Sequence, residues 1–230
     1  MIDSEKLFVR NYFSTNYLYT ARWLSEEARQ LEEKLAGVTH YHPQHRGAVI
    51  SSITSACAFL EAHINEIFLD VVDEQPPWVD HLTADVRDKI CWLWTDGKAE
   101  ENRALAKYNA ILIAASLPIL DKGQNPYQDA QLVIDIRNVL THYKVYSLGE
   151  KKPHTLSRKF ASPQFPLNQL MVGHNAERFP DHILGHGCAD WAWRSCKKFA
   201  DEFGRRLGIS LKYQATDLWA EYGPVADQGN

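Results

Sequence analysis

Arg137 and His142 are residue types that together can handle a phosphodiester, and they stand close in the stretch "RNVLTHYK" at 137–144. Cleaving such a bond needs a base for the proton of the attacking hydroxyl, an acid for the leaving oxygen, and cationic donors on the charge of the transition state. Histidine is the side chain that exchanges a proton near neutral pH. Arginine grips phosphate through paired donors and keeps its charge throughout. Asn138 lies one helical turn before His142, where it can orient the imidazole or touch the phosphate. Such chemistry requires neither a metal ligand set nor a cofactor.

Spacing by itself carries little weight. An Arg followed by a His after four to six residues is expected about once by chance in a chain of this composition. The competing reading is a solvated arginine and a helix-terminal histidine favoured by the helix dipole. What decides between them is the setting, the elements that hold the pair.

Six helices are expected. The first covers "NYLYTARWLSEEARQLEEKLAG" and closes at Gly37, with Leu18, Trp23, Leu24, Leu31 and Leu35 as its apolar positions. In the second, Val49, Ile53, Ala56, Leu60, Ile64, Ile67 and Val71 alternate steps of three and four until Pro76 and Pro77 stop it. Thr83 is a plausible N-cap for a third helix bearing Val86, Ile90 and Leu93, which ends around "TDGK". The fourth carries Leu105, Tyr108, Leu112, Ala115 and Ile119, frays at Pro118 and closes near Gly123. The fifth opens with Asn125 as N-cap, Pro126 in the first position and Asp129 in the first turns, and it runs through Lys144. Residues 148–180, with Pro153, Pro163 and Pro166, read as a long loop with room for short strands. A last helix spans roughly 181–207, with Leu184, Cys188, Trp191, Ser195, Phe199 and Phe203 along one side. The tail from 208 is irregular.

On a helical wheel, Leu132, Val133, Ile136, Val139, Leu140 and Tyr143 form the broad core face of the fifth helix. Arg137, Thr141 and Lys144 lie on one flank, and Asn138 with His142 on the other. Arg137 and His142 therefore diverge by ~140° on a regular helix. Two resolutions are open. The helix ends or distorts near His142, or a second copy of the motif faces the first across a two-fold axis. Ile134, apolar within the otherwise polar arc, favours the covered face of a dimer.

The surroundings are those of an ordinary globular chain: 45% hydrophobic, 23% charged, formal net charge −4. No basic field embraces the whole protein, so nucleic-acid binding has to come from a local patch. Lys144, Lys151, Lys152, Arg158 and Lys159, with His154 between, are the concentration nearest the motif. They form either a solvated loop or a phosphate-tracking rim. Cys57, Cys91, Cys188 and Cys196 lack metal or disulfide spacing and read as reduced thiols. With no signal-like start and no apolar run of about 20 residues, a cytoplasmic protein without membrane contact is expected.

Other constellations are weaker. His40, His42 and His45, and His182, His186 and Cys188, have spacings met in metal sites but no second half, and they read as local structural or surface residues. Glu61 and Asn65 interrupt an apolar run one turn apart, either facing water or bracing His142. The seven tryptophans read as core and interface. No Gly-rich phosphate loop, GxSxG or HExxH occurs.

"RNVLTHYK" at the end of an apolar-striped helix resembles the signature of the HEPN superfamily (higher eukaryotes and prokaryotes nucleotide-binding domains), with Arg137, Asn138 and His142 at its Arg, polar and His positions. "ITSACAFLEAHINEIF" (53–68), "NPYQDAQLVIDIRNVLTHYK" (125–144) and "CADWAWRSCKKFADEF" (188–203) are similar to its long early helix, motif helix and final helix. The helices and the irregular 148–180 insertion sum to an all-α antiparallel bundle. The resemblance covers most of residues 45–205, leaves 148–180 and the tail unmatched, and implies one HEPN-like helical domain over 1–230. It also implies a homodimer whose motifs meet at the interface. The expected activity is a metal-independent endoribonuclease of toxin–antitoxin, phage-defence or stress systems, with RNA and a cognate antitoxin or regulatory protein as partners. Members that have lost the motif serve instead as modules binding RNA or protein.

Overall fold

The structure is a computed structural model that describes residues 10–38, 40–74, 80–144, 155–162, 164–173 and 178–215. It is all-α: α1 (Ser14–Lys34), α2 (Pro43–Val72), α3 (Ala84–Thr95), α4 (Ala104–Ala114), α5 (Tyr127–Thr141), α6 (Thr155–Lys159), α7 (His186–Leu207) and α8 (Lys212–Ala215). Short helical turns lie at Ala99–Glu101, Gln169–Met171 and Arg178–His182. Strands are absent among the described residues, so the described part of 148–180 is turns and short helices.

α2 is the axis. All seven of its predicted stripe residues are buried, and a second row (Cys57, Phe59, His63, Phe68) is buried as well. By length and composition α2 could cross a membrane. Here it is the central helix, with α1, α7, α3, α5 and α4 packed around it.

α1 lies against α2 along a line the hydrophobic pattern missed. Its buried residues are Ser14, Leu18, Ala21, Ser25, Ala28 and Glu32, while Trp23 is exposed. Four of the six are Ser or Ala, which let two backbones approach closely; Ser52 Oγ on α2 donates to the Ala21 carbonyl at 2.6 Å. The larger side chains at Leu24, Leu31 and Leu35 are only partly covered. Size, rather than hydrophobicity, selects this face.

Both ends of α1 are fastened by glutamates. Its first amides, which have no cap of their own, donate to Glu66 Oε1 of α2: Phe13 N and Ser14 N, each at 2.8 Å. At the other end Glu32, itself buried, accepts from His45 Nε2 of α2 at 2.8 Å, His186 N at 2.8 Å and His186 Nδ1 of α7 at 2.7 Å. The starts of α2 and α7 thus meet at one carboxylate. Farther along, both helices meet Tyr108 of α4, which donates to the Leu60 carbonyl at 3.0 Å and packs its ring edge-on to Phe199 and Phe203. α7 therefore runs parallel to α2, and α1 antiparallel to both.

Several boundaries differ from expectation, among them the end of α5, which stops at Thr141 instead of running through Lys144. α4 stops at Ala114 instead of approaching Gly123, because Asn109 folds the following chain back: its amide donates to the Leu120 carbonyl at 3.0 Å and its carbonyl accepts from Leu120 N at 2.9 Å. Ile119 consequently sits outside the helix and is exposed. α5 starts at Tyr127, after Pro126, although Asn125 Oδ1 does accept from Asp129 N at 3.3 Å. α7 starts at His186 rather than 181. Its entry needs Gly185, where a Cβ would lie 2.7 Å from the Asn168 backbone and 3.0 Å from Glu32 Oε1. It ends with Gly208 in the left-handed region.

Glu32 and His186 give this joint a pH window. Burial pushes the Glu32 carboxyl up, but the hydrogen bonds from His186 and His45 outweigh it and hold it down at about 2. The bond to Glu32 raises the His186 imidazole, against burial. A depressed carboxyl contributes stability that is present above its ordinary value near 4.5 and is lost as pH falls toward 2. A raised imidazole contributes stability that is present below its ordinary value of 6.5 and is lost as pH rises through its folded value. Stability should therefore peak at mildly acidic pH. Glu32→Ala is expected to cost about 3 kcal/mol there and to flatten both limbs. Thermal midpoints measured from pH 3 to 9 check this; parallel profiles for the two proteins would refute it.

Candidate functional site

α5 reaches its last turn with a narrow buried face, Ala130, Val133 and Ile136, while Leu132, Ile134, Val139 and Leu140 are partly covered and Tyr143 is exposed. The helix ends at Thr141. His142 takes the C-cap position at φ −107°, ψ 39°, its N–H still donating to the Asn138 carbonyl at 2.9 Å. The helix thus stops at the histidine, but this end does not bring His142 into the clefts that Arg137 lines, so the ~140° divergence is not resolved within one chain.

Arg137 is the part-buried member of the motif. It points toward α2, beside the Cys57 thiol, and its Nε is buried with no hydrogen-bond partner among the described residues. Burial pushes the Cys57 thiol up to about 11, with the nearby guanidinium pulling the other way, so the thiol is uncharged near neutrality. A buried guanidinium N–H facing a thiol, a weak acceptor, retains an unmet demand for an anionic oxygen.

Two clefts meet at Arg137. One, of about 600 Å³, lies between α1, α2 and α5 and is lined by Tyr17, Thr54, Asn65 and Thr141. The other, of about 560 Å³, lies between α2, the start of α4 and α5, and includes Arg103, Lys122, Gln131, Asp135 and Asn138. Cys57, Glu61 and Arg137 line both. The predicted pairing of Arg137 and Thr141 on one flank holds. His142 is exposed and lines neither of these clefts. The Asn138 side chain is exposed too, and the bond that joins it to His142 is between backbones, so the expected side-chain contact within one chain is not made.

Glu61 and Asn65 neither brace His142 nor simply face water. Both hold Lys107 of α4, whose Nζ is 2.5 Å from Glu61 Oε1 and 2.9 Å from Asn65 Oδ1. The Lys107 side chain is 1% exposed, against 46% for Glu61. This buried cation beside the clefts was not foreseen; the interruption of the α2 stripe by Glu61 and Asn65 was the available signal.

The basic rim is divided. Lys144 is exposed just beyond α5, and Arg158 is exposed on α6. Lys159, also on α6, is drawn onto the motif helix by Asp135, at 2.6 Å. Lys151 and Lys152, with His154, lie outside the described residues. Of the histidine clusters, His42 caps α2 by accepting from His45 N at 3.3 Å, His45 and His186 grip Glu32, and His182 Nε2 is buried without a hydrogen-bond partner among the described residues. All four cysteines are free.

Fold and site together define an all-α bundle with a cationic, partly buried arginine at the junction of two clefts. Comparison with known proteins finds no matching family model, no matching curated protein and no matching solved structure.

Lys107 offers a check on how the cleft wall is built. Lys107→Met keeps the stem packing and leaves Glu61 half in water, so about 1 kcal/mol should be lost. Lys107→Ala also opens a cavity and should lose about 3 kcal/mol. Urea unfolding measures both; equal losses would mean that the charge, not the stem, carries the interaction.

Proposed function

We propose that the chain is a metal-independent endoribonuclease of the HEPN type that works as a homodimer, in toxin–antitoxin, phage-defence or stress response. The observation that carries this reading is Arg137: a part-buried guanidinium with an unpartnered Nε at the junction of two clefts, five residues before an exposed histidine that ends the same helix.

Arg137 holds the scissile phosphate through its planar donors and offsets the charge that builds on it. His142 removes the 2′-hydroxyl proton as the O2′–P bond forms, and a second histidine protonates O5′ as the P–O5′ bond breaks. The products are a 2′,3′-cyclic phosphate and a free 5′-hydroxyl. The 2′-hydroxyl is the nucleophile, so this route needs no metal. Within one chain the side chains of Arg137 and His142 point apart. A two-fold pairing that brings a partner's motif to the same strand supplies the second histidine. Exposed Tyr17 beside the first cleft and exposed Tyr143 at the motif offer apolar surface for that pairing.

The second reading is a catalytically silent helical module that binds RNA or a protein partner. The exposure of His142 outside both clefts favours it. Incubation of wild type and His142→Ala with single-stranded and structured RNA, in chelator, separates the two. The ribonuclease reading expects cleavage by wild type to 2′,3′-cyclic ends and a loss of at least about 100-fold in His142→Ala. Equal cleavage by both proteins would reveal a contaminant and sink the assignment. Binding without cleavage by either would establish the silent module.

A further inference from the structure

Three of the cations around the second cleft have no carboxylate partner among the described residues. Arg103, Lys122 and Arg137 form no ion pair there, although the chain as a whole carries 29 acidic side chains against 25 basic ones. The two carboxylates in the lining are already engaged, Glu61 by Lys107 and Asp135 by Lys159. The cleft is therefore cationic in a net acidic protein. A concave, low-dielectric wall strengthens the field of such charges.

The backbone adds to this. Arg103 is the N-cap residue of α4, an eleven-residue helix whose first turn has no side-chain cap. Ala104 and Leu105, the first residues of that helix, line the same cleft. The partial positive charge of a helix start has the same sign as the three side chains. The volume of about 560 Å³ suits a ligand of nucleotide size. Arg137 belongs to this cleft and to the motif, so an anion held by Arg103 and Lys122 adjoins whatever Arg137 holds.

We infer that Arg103, Lys122 and the start of α4 form a phosphate subsite that grips a single RNA strand at the nucleotide beside the scissile one. This rests on the ribonuclease reading above and extends it to residues outside the motif. Phosphate contacts of this kind set the register of the strand and carry no sequence information. Arg103 and Lys122 are binding residues, and the bonds made and broken are left to Arg137 and His142.

The test uses a short, labelled, single-stranded RNA with 2′-O-methyl groups, which binds but cannot be cut because its nucleophile is blocked. Its affinity for the full chain is measured by fluorescence anisotropy across a range of salt. Arg103→Gln, Lys122→Gln and the double variant are compared with wild type and with Lys34→Gln, which removes an exposed charge at the far end of α1. Arg103 and Lys122 are exposed, so their loss leaves the fold intact; unfolding midpoints confirm that. Each single variant should weaken binding about fivefold and lower the salt slope by about 1, the double variant more, and Lys34→Gln not at all. On unmodified RNA the subsite variants should raise KM and leave kcat within about twofold. Failure of every protein to bind RNA would overturn the ribonuclease reading and this inference with it. RNA binding that is equal in the double variant and Lys34→Gln would overturn this inference alone.

Discussion

A single buried carboxylate joins three helices. Glu32 ends the contact face of α1, and it is reached by a histidine from the start of α2 and by a histidine and a backbone amide from the start of α7. A carboxylate in that position is costly unless each oxygen is paired. Here Oε1 accepts from His45 and from the His186 amide, and Oε2 accepts from the His186 ring. The direction of α7 follows from this joint. So does the tight fit at Gly185, where the chain passes between Asn168 and Glu32. At the other end of the bundle Asp70, also buried, collects Arg10, Tyr12 and Lys212, tying segments beyond α1 and α7 to α2.

With α1, α2 and α7 locked together, α5 is left at the margin. It buries only a narrow face, and its remaining surface is shared between clefts and solvent. That arrangement suits a recognition helix. Its inner residues hold it in place, while Arg137 looks inward and Asn138 and His142 look outward. The electrostatics follow the same division. Near the motif, acids are matched to lysines, Glu61 to Lys107 and Asp135 to Lys159. Arg103, Arg137 and Lys122 form no ion pair among the described residues. A net acidic chain can in this way present a locally basic cleft.

How much of this could be read in advance depended on the kind of signal. The α2 stripe was plain, because seven apolar residues at helical spacing have one low-energy way to be buried, and all seven are. The α1 face was not, because close packing against α2 favoured Ser14, Ala21, Ser25 and Ala28 over nearby Trp23 and Leu24. The early stop of α4 was hidden as well. It depends on Asn109 meeting Leu120, a contact that local propensity does not encode. The histidine clusters read as local structural or surface residues, because the carboxylate that His45 and His186 share, Glu32, stands 154 residues from His186.

The amino-acid sequence by itself determined an all-α chain, the axial helix α2, the helix that bears Arg137 and His142, and the kind of chemistry those two side chains can perform. Periodicity and side-chain type are local properties, and they survive being read one residue after another. Only the tertiary structure decided that Arg137 turns inward against Cys57 while His142 ends the helix facing outward. It also decided that Arg103 and Lys122 gather around the same cleft. The physical reason is that burial and unpaired charge are properties of a neighbourhood. Whether a cation is free depends on which carboxylates folding has already assigned to other partners.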